Sequence, residues 1–169
     1  MNNRQKLRQL ILAALFAAAI AVMTAYLLHI PIPTGGYIHL GDTLLYLAAG
    51  LLPTPYAAGA AAVGGGLADL LTAPVWVLPT VVIKALVTLL FTSRGQKILV
   101  SRNIAAVFGA ALLSPAAYGL AACLLMGGAY AFVPQFLGTL IQGVGSGLLF
   151  GVLALALDRA GIKARLSAV

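Results

Sequence analysis

Two ionisable side chains, Asp69 and Lys84, fall inside long apolar stretches of this sequence. Charge at membrane depth is costly to hold and marks a functional position by default. The two lie on segments joined by a tight turn at 72–75, which makes those segments antiparallel neighbours. Two roles are open to Lys84. It forms an ion pair with Asp69 that satisfies both charges, or it meets a substrate carboxylate, phosphate or ring acceptor. Asp42 follows Gly41 at the start of a third apolar segment. There it reads as a helix N-cap whose carboxylate accepts backbone N–H bonds.

Uncharged groups extend the set. Gln135, Thr139 and Gln142 share one helical face. Amides on an inward face suit hydrogen bonding to a small polar ligand. Tyr118 and Ser114 sit near the middle of the preceding apolar segment and can bond across helices or to a ligand. Tyr37, His39 and Trp76 form either an aromatic lid or part of an interfacial aromatic belt. His29 joins the same loop. No His-x-x-x-His pair is present and carboxylates are scarce, so no metal-ligand set is expected. The chain has no Gly-x-x-x-x-Gly-Lys-Ser/Thr phosphate loop, serine elbow or metalloprotease motif. The expectation is a binding site without a catalytic set or a cofactor.

The elements that must position these residues follow from composition. The 169 residues are 62% hydrophobic and 8% charged, against about 25% charged in soluble domains. So few charges cannot cover a water-facing surface. At about 20 residues per span, the chain has room for roughly six spans and no separate soluble domain. The predicted helices are 7–28, 40–52, 56–71, 76–92, 104–126 and 130–157, punctuated by Pro and Gly at 31–36, 53–55, 74 and 127–128. The first follows a basic start like a signal peptide, but it is long enough to span and reads as a retained helix. Residues 1–169 form a single transmembrane domain. Cys123 is alone, which leaves no intrachain disulfide and no cysteine metal site.

The net charge of +7 invites a nucleic-acid reading. Its distribution opposes one. Nine of the ten basic residues fall in three clusters: Arg4, Lys6 and Arg8; Arg94, Lys97 and Arg102; Arg159, Lys163 and Arg165. Six spans with both termini inside place all three clusters on the cytoplasmic side, as the positive-inside rule requires. The loops at 29–40, 72–76 and 127–134 then lie outside, without Lys or Arg. Small residues recur every four positions at Ala13, Ala17, Ala21 and Ala25, and at Gly143, Gly147 and Gly151. Such stripes let helices approach closely, within the chain or in a second membrane protein.

Together these features resemble the substrate-binding S component of an energy-coupling factor (ECF) vitamin transporter. The length, six spans and N-in/C-in topology carry the likeness, with Ala13-x-x-x-Ala17-x-x-x-Ala21, the run Gly36-Tyr-Ile-His-Leu-Gly-Asp42, Gly64-Gly-Gly-Leu-Ala-Asp69 and Ile83-Lys84. It is most similar to the hydroxymethylpyrimidine, pyridoxine and thiazole carriers. The resemblance implies a non-enzymatic, high-affinity binding subunit in a prokaryotic plasma membrane, importing a small water-soluble vitamin or precursor. It implies partners: a membrane coupling (T) subunit, docked on Ala13, Ala17 and Ala21, and two cytoplasmic ATPases. It also implies a pocket from Lys84, Tyr118, Gln135, Thr139 and Gln142, with Tyr37, His39 and Trp76 as lid. Lys84 disfavours a cationic substrate and favours a neutral or anionic one. The rival readings are a stand-alone carrier or channel and, behind it, a membrane-embedded lipid-modifying enzyme.

Overall fold

The structure, a computed structural model, describes residues 2–27, 29–34 and 37–168, and of residues 166–168 the backbone alone. The expected helix end at Leu28 and the Gly36 that opens the loop motif lie outside these residues. The chain is an all-α membrane protein. Helix α1 is Asn3–Tyr26, α2 Gly41–Leu51, α3 Thr54–Thr72, α4 Val77–Thr88, α5 Ser101–Met126, α6 Phe132–Arg159 and α7 Ile162–Ala168. Single 3-10 turns at Pro74–Trp76 and Ala129–Ala131 lead into α4 and α6. Between α1 and α2 a short antiparallel ribbon pairs β1 (Ile30–Pro31) with β2 (Tyr37–Ile38), Ile30 opposite Ile38 and Pro31 opposite Tyr37.

The helix ends differ from expectation for local reasons. Helix α1 starts at Asn3 because Asn2 and Gln5 form a reciprocal capping box, each side chain accepting the other's backbone N–H. Helix α3 starts inside the expected Pro53–Pro55 turn, since Pro55 falls in its first turn, where a missing N–H costs nothing. Gly127, at φ 72°, ends α5 in the left-handed conformation that glycine adopts without strain. Helix α4 stops at Thr88, not Thr92. There Asn103 holds the departing chain through Thr92 and Ile98, and Arg102 donates to the carbonyls of Leu89 and Leu90. The sequence pattern predicts neither the ribbon nor α7.

Three helical stretches are long and apolar enough to cross a membrane: Asn3–Tyr26, Ser101–Met126 and Ala129–Arg159. Helices α2 and α4, at 11 and 12 residues, extend only about 16–18 Å, short of a hydrocarbon core of roughly 30 Å.

Helix α1 packs on α3, α3 on α4, and α5 on α6, while α2 sits against α1, α3, α4 and α6. The interfaces rest on small residues. A Cβ added to Gly64 would lie 2.6 Å from the Ala17 carbonyl oxygen, so only glycine allows α3 to lie this close to α1. Toward the end of the bundle that carries the basic clusters, Tyr46, Phe91 and Phe150 interlock with ring centroids 5.0–6.0 Å apart. The opposite end, where the loops lack Lys and Arg, has a polar interior.

Candidate functional site

That polar interior is assembled from five directions. Trp76, Thr80 and Lys84 recur every four residues along one face of the 3-10 turn and α4, and Gln135, Thr139 and Gln142, spaced by four and then three, share one face of α6. Tyr118 comes from α5, Asp69 from the end of α3, and Tyr37 and His39 from the ribbon and the residues after it. These ten side chains line one cavity. Its volume is about 30 Å³ within about 330 Å³ of atom-free space that includes its open mouth. The smaller figure corresponds to roughly two waters.

A buried ion pair lies at its base. Lys84 Nζ is 2.5 Å from Asp42 Oδ1, and both side chains are 5% exposed. Gln142 Nε2 donates to the other carboxylate oxygen of Asp42 at 2.8 Å. The Gln142 carbonyl oxygen accepts from the backbone N–H of His39 at 3.4 Å. The Gly41 N–H in turn donates to His39 Nδ1 at 2.9 Å, which fixes that ring nitrogen as an acceptor. Burial drives the His39 pKa down to about 3, with the Lys84 and His29 charges adding to the effect and Asp42 opposing it. Gly41 makes this corner possible, because a Cβ there would collide with Thr24 on α1.

The upper wall is aromatic. Tyr37 OH donates to Asp69 Oδ1 at 2.5 Å, and burial, followed by the Asp69 charge, raises the Tyr37 pKa above its usual value. The Tyr37 ring stacks on His29 with centroids 3.9 Å apart. Trp76 lies 5.9 Å from Tyr118, whose hydroxyl bonds Thr80 at 2.8 Å. The Lys84 ammonium sits 5.3 Å from the centre of the Tyr118 ring. Thr34 Oγ1 donates to Gln135 at 2.5 Å, tying the ribbon loop to α6. Trp76 is 2% exposed, and its indole N–H has no partner among the described residues. A buried donor left unpaired is costly, and this one belongs to a residue that lines the cavity.

Over residues 4–159 the sequence matches the family described as ECF-type riboflavin transporter, S component. The chain belongs to this family. No curated protein matches it. The family is one of membrane-embedded transporter components rather than of enzymes, and its description names riboflavin instead of hydroxymethylpyrimidine, pyridoxine or thiazole.

For this S component, the eight side chains expected to form pocket and lid all line the one cavity. Of the two roles open to Lys84, the ion pair with Asp69 is not formed. Lys84 instead takes Asp42, because α2 lodges against α4 and α6 and brings that carboxylate under the ammonium. Asp42 is correspondingly no N-cap: its carboxylate turns inward, and the capping position, Leu40, has no side-chain bond to the helix. Asp69 lines the cavity as the acceptor for Tyr37. Thr80 is not among the residues that polarity and charge single out in the sequence, although it lies midway between Trp76 and Lys84 on the same stripe. Ser114 is buried without a partner among the described residues and does not line the cavity. Ala13 and Ala17 are each 7% exposed and pack toward α3, while lining a shallow groove between α1 and α3 beside exposed Ala14.

Proposed function

We propose that this S component is the high-affinity subunit that captures a small, flat, water-soluble vitamin or precursor at the charge-poor face of a prokaryotic plasma membrane. A membrane coupling subunit and two cytoplasmic ATPases would drive import. We further propose six spans with both termini inside, the short helices α2 and α4 being tucked among longer neighbours. The observation that carries the binding reading is one polar cavity that combines aromatic walls, two amides and a tryptophan whose indole N–H has no partner among the described residues. Aromatic and apolar walls with a few placed polar groups are the common form of small-molecule sites.

The family description points to riboflavin. We favour a single-ring compound such as hydroxymethylpyrimidine, pyridoxine or a thiazole: any vitamin-sized ring requires the roughly 30 Å³ cavity to widen by separation of Tyr37 and His39 from α4 and α6, and a single ring requires less widening than a three-ring flavin. Trp76 is the chain's one tryptophan and lines the cavity, so its fluorescence reports on this site alone. Titration of the purified protein with riboflavin and with each single-ring compound tests the proposal. Saturable change at submicromolar concentration with one single-ring compound is expected. Saturation by riboflavin alone would overturn the substrate assignment, and silence toward all of them, with no small molecule retained in native mass spectrometry, would overturn the binding reading. Uptake in cells lacking coupling subunits would favour a stand-alone carrier.

A further inference from the structure

On the side of the molecule formed by α5 and α6, an apolar groove of about 260 Å³ runs toward the basic end. Its walls are Ile104, Phe108 and Leu148, which are 48%, 69% and 70% exposed. Its floor includes Gly147 and Gly151. A Cβ on Gly147 would lie 2.6 Å from Val107, so the two helices touch there, whereas one on Gly151 would meet nothing within 4 Å. The helices thus diverge toward the basic end and leave a wedge. From Ile104 to Ala111 the groove spans about 11 Å, within one leaflet of about 15 Å.

The wedge does not end in water. At Leu99 it joins a second hollow, lined by Lys97, Leu99, Leu155, Asp158 and Arg159. The Asp158 carboxylate is already engaged: its two oxygens accept the backbone N–H groups of Ile98 and Leu99 at 2.7 and 2.9 Å. Lys97 and Arg159 are exposed, and neither side chain makes a hydrogen bond or ion pair among the described residues. The grooves between α1 and α3 and between α3 and α4 have no charged residue in their linings. An acyl-sized apolar slot with two uncommitted cations at its mouth matches one ligand chemistry, that of an anionic lipid of the inner leaflet.

We propose that the α5–α6 face is a binding site for one anionic phospholipid, its headgroup held by Lys97 and Arg159 and one acyl chain lying in the groove over Gly151. Two basic groups near an anionic surface correspond to roughly a thirtyfold preference. The nearby Asp158 charge lowers this to about tenfold.

The test is native mass spectrometry of the full-length protein, titrated with phosphatidylglycerol and with phosphatidylcholine of identical acyl chains. Retention of one phosphatidylglycerol in about tenfold preference over phosphatidylcholine is expected. Lys97→Gln/Arg159→Gln should abolish that preference, whereas Lys6→Gln/Arg8→Gln, which removes the same charge elsewhere, should leave it intact. Gly151→Leu places a side chain in open space and should weaken retention of both lipids while the melting temperature holds. Equal retention of the two lipids overturns the proposal, as does an equal effect of the two double variants. A second copy of the chain retained in place of lipid, and lost in Gly151→Leu, would overturn it in favour of a dimer face.

Discussion

Replacing Lys84 with methionine tests the architecture of the site most sharply. The two side chains have similar length, so packing changes little, but Asp42 is left as a buried carboxylate with Gln142 as its one remaining side-chain donor among the described residues. Removing one partner of a buried pair typically costs about 3–5 kcal/mol, because the survivor keeps its desolvation penalty without compensation. At about 2–4 °C per kcal/mol for a chain of this size, the melting temperature should fall by about 6–20 °C. Asp42→Asn in the same chain removes the stranded charge while keeping an acceptor for Gln142. The double variant should therefore recover most of the loss, since a buried pair replaced as a whole is often nearly neutral. The assay is retention of the monodisperse gel-filtration peak after heating in detergent. Lys84→Met melting within about 2 °C of the parent, or a double variant no more stable than the single, would refute the pairing. The same proteins separate two roles of Lys84. Asp42 does not line the cavity and Lys84 does, so a double variant that is stable yet fails the Trp76 fluorescence titration places the ammonium on the ligand.

Three further outcomes follow from the geometry. Gly64→Ala forces a Cβ against the Ala17 carbonyl oxygen and should cost about 1–3 kcal/mol, whereas Gly59→Ala, which meets nothing within 4 Å, should be neutral or stabilise by up to about 1 kcal/mol; both are read by the same heating assay. His39 binds its proton less readily folded than unfolded, so its contribution is complete above the unfolded value near 6.5 and is lost as pH falls from there toward about 3. Lowering the pH from 6.5 to 5.5 should cost about 1 kcal/mol at this residue, seen as a melting shift that shrinks in His39→Gln. Because Ala17 is buried against α3, Ala17→Leu should unsettle the bundle itself. Ala14→Leu, on the exposed edge of the same groove, should instead abolish co-purification with the coupling subunit while the fluorescence titration stays unchanged, and intact co-purification would count against docking on this face.

The site was legible in the sequence to the extent that polarity is rare. Against a background 62% hydrophobic, each inward Gln, Thr or Lys stands out, and helical spacing alone places Gln135, Thr139 and Gln142 on one face. Helix positions were legible for the same reason, while their ends were not, because caps such as Asn2 with Gln5 and the clasp of Asn103 on Thr92 depend on single hydrogen bonds. The partner of Lys84 was not legible either. Antiparallel adjacency of α3 and α4 argues for Asp69, and nothing local shows that α2, short and lodged among four other helices, brings Asp42 closer. That exchange alters the inference about substrate charge. An anion at Lys84 would share an ammonium that Asp42 already holds at 2.5 Å, and would bring a second negative charge toward that buried carboxylate. A cation would find Asp69 already holding the Tyr37 hydroxyl at one oxygen. What lines the cavity apart from charged groups includes the Trp76 indole, the amides of Gln135 and Gln142, and the rings of Tyr37 and Tyr118. That inventory fits a neutral heterocycle with ring acceptors better than it fits either ion.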